Sequence, residues 1–157
     1  MSVQIDELQI SQLLTERKIL PDDFLTLIQI RPKRGHSERE LLVKGENGSE
    51  FALILRQSEY NKLDFSVILA YLVPKTNVLF RLRRYNGKSH EHTNPYEGEK
   101  FFAFHIHIAT ERYQQTGMRE DTYAEQTTAY SDLNGAIQCM LNDCGFVVPP
   151  SAQPSLL

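Results

Sequence analysis

The strongest restraint on the fold is an alternating segment, Phe-Phe-Ala-Phe-His-Ile-His-Ile, at residues 101–108. Successive side chains of a β-strand point to opposite faces of a sheet, so this segment is predicted to be a strand. His105 and His107 would share one face. The large apolar residues would share the other: Phe102, Phe104, Ile106 and Ile108. Two imidazoles side by side on a well-packed strand indicate a site of chemistry or binding.

Two further pairs of apolar runs predict β-hairpins. The paired runs are residues 40–44 with 51–56, and residues 65–73 with 78–85. A glycine-bounded turn, Gly45-Glu46-Asn47-Gly48, joins the first pair, and Pro74 ends the first run of the second. Residues 101–112 are predicted to form the longest strand. Residues 24–30 could be a strand or a short helix, and the following chain favours the strand.

Helical signals lie near both ends of the chain. Residues 5–17 have apolar side chains at helical spacing, and Ser131 has the character of a cap before a helix that Gly145 would end. We therefore expect an α+β fold: an antiparallel β-sheet meander with an N-terminal helix and a C-terminal helix packed on one face. Residues 1–148 would form a single domain, and residues 149–157 a disordered tail.

The charge balance argues against a generally basic nucleic-acid binder. The 157 residues include 17 Lys and Arg and 20 Asp and Glu, which gives a net charge of −3. A local basic patch remains compatible with that total. The chain shows no signal-peptide pattern and no apolar run long enough for a membrane helix, so we expect a cytoplasmic protein that does not engage a membrane.

A second His-x-His pair, His90 and His92, lies in the polar segment 86–100 between two predicted strands. If these strands pair antiparallel, Arg81 and Arg83 would share the face of His105 and His107. Tyr85 alternates onto the same face. His90 and His92 could fold over it from the connecting loop.

A face of arginine, histidine and tyrosine suits a phosphate-bearing ligand such as RNA or a nucleotide. We expect His92, His105 and His107 to transfer protons in a metal-independent, toxin-like ribonuclease. Substrate contacts would come from four further residues: Arg81, Arg83, Tyr85 and His90. We predict no metal and no cofactor, because arginines beside the histidines would repel a cation.

Three alternatives stay open at this stage. Paired histidines are good transition-metal ligands, which would make the chain a metal-dependent hydrolase. The same face could instead serve a non-enzymatic binding module, such as an antitoxin, an inhibitor or a phage-defence interaction protein. Histidines on the outer face of an antiparallel sheet could also simply be solvated.

Two segments, residues 83–92 and 104–113, resemble a small bacterial family known only as a domain of unknown function. The arginine-tyrosine-asparagine turn that leads into a histidine-containing loop is also loosely similar to the TumE group of toxin–antitoxin proteins. That likeness implies a short antiparallel sheet with a C-terminal helix. We also expect a cognate protein partner or a homodimer.

Overall fold

The structure is a computed structural model, and it describes residues 3–150. Four helices are present in this range: α1 (Glu7–Thr15), α2 (Phe24–Leu27), α3 (Glu111–Gln115) and α4 (Leu133–Asp143). The longer strands are β3 (His36–Lys44), β4 (Glu50–Ser58), β5 (Phe65–Leu72), β6 (Leu79–Asn86) and β9 (His105–Ile108). The short strands are β1 (Lys18–Ile19), β2 (Arg31–Pro32), β7 (His92–Thr93), β8 (Lys100–Phe101), β10 (Ala124–Gln126) and β11 (Phe146–Val147).

Seven strands form one antiparallel sheet in the order β10-β9-β6-β5-β4-β3-β2. Strands β2 to β6 follow one another as a meander, as the two predicted hairpins require. β9 then pairs with the free edge of β6, and β10 pairs with β9 as the edge strand on that side of the sheet. This arrangement confirms the predicted α+β class with an antiparallel sheet.

The core lies between one face of this sheet and helix α4, which packs on β5 and β6. Its centre is apolar and fully buried: Leu53, Leu55, Val67, Leu69, Ala136 and Met140. Helix α4 begins at Asp132, whose side chain accepts a hydrogen bond from the Gly135 amide at 2.7 Å. The predicted cap at Ser131 is therefore wrong by one residue. Gly145 ends the helix with a φ of 75°, as expected.

The predicted long strand over residues 101–112 is interrupted. β9 covers only His105–Ile108, and helix α3 follows because Thr110 accepts a hydrogen bond from the Tyr113 amide as its N-cap. The strand predicted over residues 24–30 is also wrong, since Phe24–Leu27 forms a single helical turn.

A β-bulge in β6 decides which arginines share a face with the histidines. Arg81 pairs with Ala70, but Arg83 pairs with Leu69, so Leu82 is an extra residue in the ladder. The bulge reverses the alternation beyond it. Arg83 therefore lies on the α4 face of the sheet, and Arg84 lies on the opposite face, which we call the outer face.

The two ends of the domain meet at Lys18. β1 pairs in parallel with β11, and the fully buried Lys18 ammonium donates to the backbone oxygens of Leu13, Glu16 and Cys144 at 2.7–2.8 Å. It thereby satisfies carbonyls at the C-terminal ends of α1 and α4. None of the helices in residues 3–150 is long and apolar enough to cross a membrane. Of the predicted tail, residues 151–157 lie outside the described residues.

Candidate metal centre

Three histidines from two parts of the chain meet on the outer face of the sheet. His105 and His107 come from β9, and His92 from β7, which pairs with β8 as a small hairpin above them. One ring nitrogen of each lies within 4.8 Å of the others. The ring centroids are 4.9–5.3 Å apart. Within residues 3–150 this is the one group of three or more histidine, cysteine or carboxylate side chains close enough to hold an ion together.

Backbone carbonyls fix the rings of His105 and His107. Nδ1 of His105 lies 2.7 Å from the oxygen of Ala103, and Nδ1 of His107 lies 2.7 Å from the oxygen of Asp121. A carbonyl oxygen can only accept, so Nδ1 carries the proton in both rings. Each Nε2 is left with a lone pair. Nε2 of His105 is buried and has no hydrogen-bond partner among the described residues.

Asn94 orients the third ring. Its side chain forms two hydrogen bonds with the backbone of Ala124: Oδ1 accepts at 2.9 Å and Nδ2 donates at 2.8 Å. The same Oδ1 lies 2.7 Å from Nε2 of His92, which must therefore donate to it. Nδ1 of His92 keeps the lone pair. All three rings thus have one nitrogen committed to the protein and one available to a ligand.

Burial keeps the two strand histidines neutral. It lowers the pKa of His105 from 6.5 to about 4 and that of His107 to about 2, since a charged ring would lose its solvation there. The charge of Arg84 lowers both values further. In a neutral ring whose Nδ1 carries the proton, Nε2 has no proton for an incoming metal ion to displace.

Arg84 and Asp121 border the cluster. Arg84 lies directly opposite His107 in the pairing of β6 with β9, and its Nε donates to the buried carboxylate of Asp121 at 3.0 Å. Arg81 also lies on this side, with its Nε 3.9 Å from the same carboxylate. The side of the sheet expected for Arg81 is therefore confirmed.

Two residues predicted for substrate contact, Arg83 and Tyr85, lie on the other face of the sheet, whereas His90 lies beside the histidine face. Arg83 lies on the α4 face because of the bulge in β6. Tyr85 is fully buried in the core, where its hydroxyl donates to Asp143 at 2.8 Å. The ring of His90 is exposed and lies 6.1 Å from that of His105, outside the three-histidine group. The predicted placements of Arg83 and Tyr85 are wrong for the same reason, the reversed alternation after Leu82.

Sequence reasoning missed three residues at this site: Asn94, Arg84 and Asp121. Asn94 lies two positions after His92, and an amide so close to a candidate ligand was a usable signal. Arg84 could not be chosen over Arg83 without the bulge. Asp121 lies in a polar stretch whose sequence has no feature that points to the histidines.

Fold and site together define a small α+β protein with a three-histidine centre on an antiparallel sheet. The chain belongs to DUF6978, a family of unknown function, whose family model matches residues 5–145. No curated protein and no solved structure matches the chain. The predicted relation to an uncharacterised family is thus confirmed, and the likeness to TumE stays a prediction.

Proposed function

We propose that this chain is a metal-dependent hydrolase with one divalent transition-metal ion, Zn²⁺ by preference, held by His92, His105 and His107. The proposal rests on one observation: each of three histidine rings brings a nitrogen within 4.8 Å of the others, and each ring has one nitrogen hydrogen-bonded to the protein and one left free for a ligand. Histidines that ligate metals almost always donate their second N–H in this way.

The number of ligands favours a catalytic ion over a structural one. Structural zinc sites are closed by four protein ligands, whereas catalytic sites use three and keep a position for water. Among the described residues, the group contains three histidines and no fourth ligand side chain. A water molecule in the open position would become a nucleophile, because zinc lowers its pKa to about 7.

The arginine beside the cluster is compatible with a cation there. The Asp121 carboxylate lies 3.0 Å from Arg84 and offsets the charge of that guanidinium. This contact reduces the repulsion that Arg84 would exert on a metal ion.

The same geometry is less suited to metal-independent proton transfer. A general acid or base works best when its pKa lies near the working pH. The pKa values of His105 and His107, about 4 and about 2, are far below neutrality. Neutral buried rings with fixed tautomers act more readily as ligands than as proton shuttles.

Metal content is the direct test, on protein carrying no polyhistidine tag. We expect about one zinc ion per chain by mass spectrometry, as for a mononuclear site. His105→Asn and His107→Asn should lose it, because asparagine can keep the Nδ1-type hydrogen bond but lacks Nε2. His36→Asn is the matched control, since His36 lies on β3, away from the group. Equal zinc content in all four proteins would contradict the proposal.

Hydrolysis is tested separately with p-nitrophenyl acetate, a general model ester. Zinc-loaded protein should cleave it, dipicolinate should abolish the activity, and added zinc should restore it. Zinc binding without any hydrolysis would leave a metal-binding protein and remove the enzymatic part of the proposal.

RNA cleavage, toxin activity and a non-enzymatic antitoxin role remain predictions from the sequence. Induced expression in a bacterial host separates them. A toxin would arrest growth in the parent and not in His107→Asn, whereas a binding module would leave growth unchanged in both.

A further inference from the structure

Three arginines surround the buried carboxylate of Asp121 on the outer face. Nε of Arg84 lies 3.0 Å from it, Nη2 of Arg119 lies 3.3 Å from it, and Nε of Arg81 lies 3.9 Å from it. Glu120 adds a second carboxylate, 3.6 Å from Nη1 of Arg81. Three positive groups thus share two negative ones, which leaves an excess of one positive charge at the cluster.

Arg84 has free hydrogen-bond donors that an anion could accept from. It contacts Asp121 through Nε, and within residues 3–150 its two terminal nitrogens have no hydrogen-bond partner. Its side chain is 21% exposed, so those donors can reach a ligand. A guanidinium group binds phosphate oxygens in a bidentate manner, which gives both strength and orientation.

Arg84 lies beside the candidate metal centre. Arg84 and His107 are direct partners in the pairing of β6 with β9. Directly opposite residues of an antiparallel pair have Cβ atoms about 4.5–5.5 Å apart. An anion held by Arg84 would therefore lie next to an ion held by His107.

We propose that Arg84, with Arg81 and Arg119, binds the phosphate group of the substrate, so that the hydrolase acts on phosphate esters. This inference rests on the proposed function, since the reaction uses the metal-bound water. The water oxygen forms a new bond to phosphorus, the bond from phosphorus to the ester oxygen breaks, and a proton from the water ends on the leaving oxygen. The products are an alcohol and a phosphate with one ester bond fewer.

Calorimetric titration with inorganic phosphate tests the subsite, on metal-free and on zinc-loaded protein. We expect binding in both states, because the arginines need no metal. Arg84→Gln should weaken it at least about tenfold, as expected for the loss of a charge-assisted, bidentate contact. Arg56→Gln is the matched control, since Arg56 lies on β4 and pairs instead with Glu38.

Arg119→Gln serves as a second variant because it leaves the Arg84–Asp121 ion pair intact. It should also weaken phosphate binding and should retain the fold. Unchanged phosphate binding in both variants, or none in the parent, would overturn the inference.

Failure of the inference and failure of the proposed function give different results. Zinc binding without phosphate binding overturns the inference alone. If the chain binds no zinc but binds phosphate through Arg84, the phosphate subsite stands. The proposed hydrolase, and with it the phosphate-ester reaction, is then overturned. Adenosine monophosphate and a short single-stranded RNA, titrated in parallel, then show which carrier of the phosphate group the site prefers.

Discussion

His107 and Arg84 lie opposite each other on neighbouring strands, and both contact Asp121 through different atoms. The ring of His107 donates to the backbone oxygen at 2.7 Å, and Arg84 donates to the carboxylate at 3.0 Å. Asp121 thus orients both His107, a candidate metal ligand, and Arg84, a candidate phosphate-binding residue. Their relative position is fixed by the pairing of β6 with β9, which rigid backbone hydrogen bonds define.

The stability of the metal-free protein should fall as the pH is lowered. The unfolded chain protonates His105 and His107 below about 6.5, whereas the folded chain keeps them neutral down to about 4 and about 2. Unfolding therefore takes up protons between about pH 6.5 and pH 4. As the pH falls through that range, the protonation of each ring in the unfolded chain lowers the free energy of unfolding by up to about 1.4 kcal/mol per pH unit. Urea unfolding at several pH values measures this slope.

His105→Asn should remove about half of that slope. Equal slopes in the parent and in His105→Asn would show that burial does not suppress protonation of this ring.

Asn94→Ala should weaken zinc binding by about 10–100-fold without removing a ligand, the usual cost of losing an outer-shell hydrogen bond. The variant loses the hydrogen bond that makes Nε2 of His92 the protonated nitrogen. Competition with a chromophoric chelator measures the affinity, and a thermal melt confirms that the variant is folded. Thr93 is exposed, lies next to Asn94 and shares β7 with His92, so Thr93→Ala should bind zinc like the parent. Parental affinity in Asn94→Ala would mean that His92 does not need this orientation.

Tyr85→Phe should lower stability and leave ligand binding intact. The hydroxyl of Tyr85 donates to Asp143 in the core, so its loss should cost about 1–3 kcal/mol of unfolding free energy. Tyr60→Phe is the control, since Tyr60 is 86% exposed and should unfold like the parent. A selective loss of phosphate binding in Tyr85→Phe would return Tyr85 to the substrate site.

Lys18→Met should destabilise the domain by about 3 kcal/mol or more, because three buried carbonyls lose their donor at about 1–3 kcal/mol each. Chemical denaturation measures the change. Lys44→Met, at the exposed end of β3, should have little effect. Similar stabilities of the two variants would show that water or local rearrangement replaces the Lys18 ammonium.

Local sequence patterns predicted most of the sheet. The turn at residues 45–48 and the strand end at Pro74 are marked by glycine and proline within a few residues of sequence. Both hairpins could therefore be located from the sequence. His105 and His107 were placed on one face by alternation alone.

Longer-range features could not be predicted in this way. His92 joins the group because segment 86–100 folds back as the β7–β8 hairpin, and Asn94 connects this hairpin to Ala124, thirty positions away. Arg84, and not Arg83, lies on the histidine face because Leu82 is an extra residue in the pairing of β5 with β6. A bulge of this kind is set by packing between strands and has no reliable signature in one strand's sequence.

The contacts of Lys18 also bear on how the domain assembles during synthesis. The meander from β2 to β6 pairs neighbours in chain order, so it can form as the polypeptide leaves the ribosome. Lys18 emerges before that meander, yet one of its acceptors, Cys144, emerges long after it. The contact between the end of the first helix and the end of the last one therefore forms only after residue 144 has been made, and a chain stalled before it would leave Lys18 with only the acceptors at the end of the first helix.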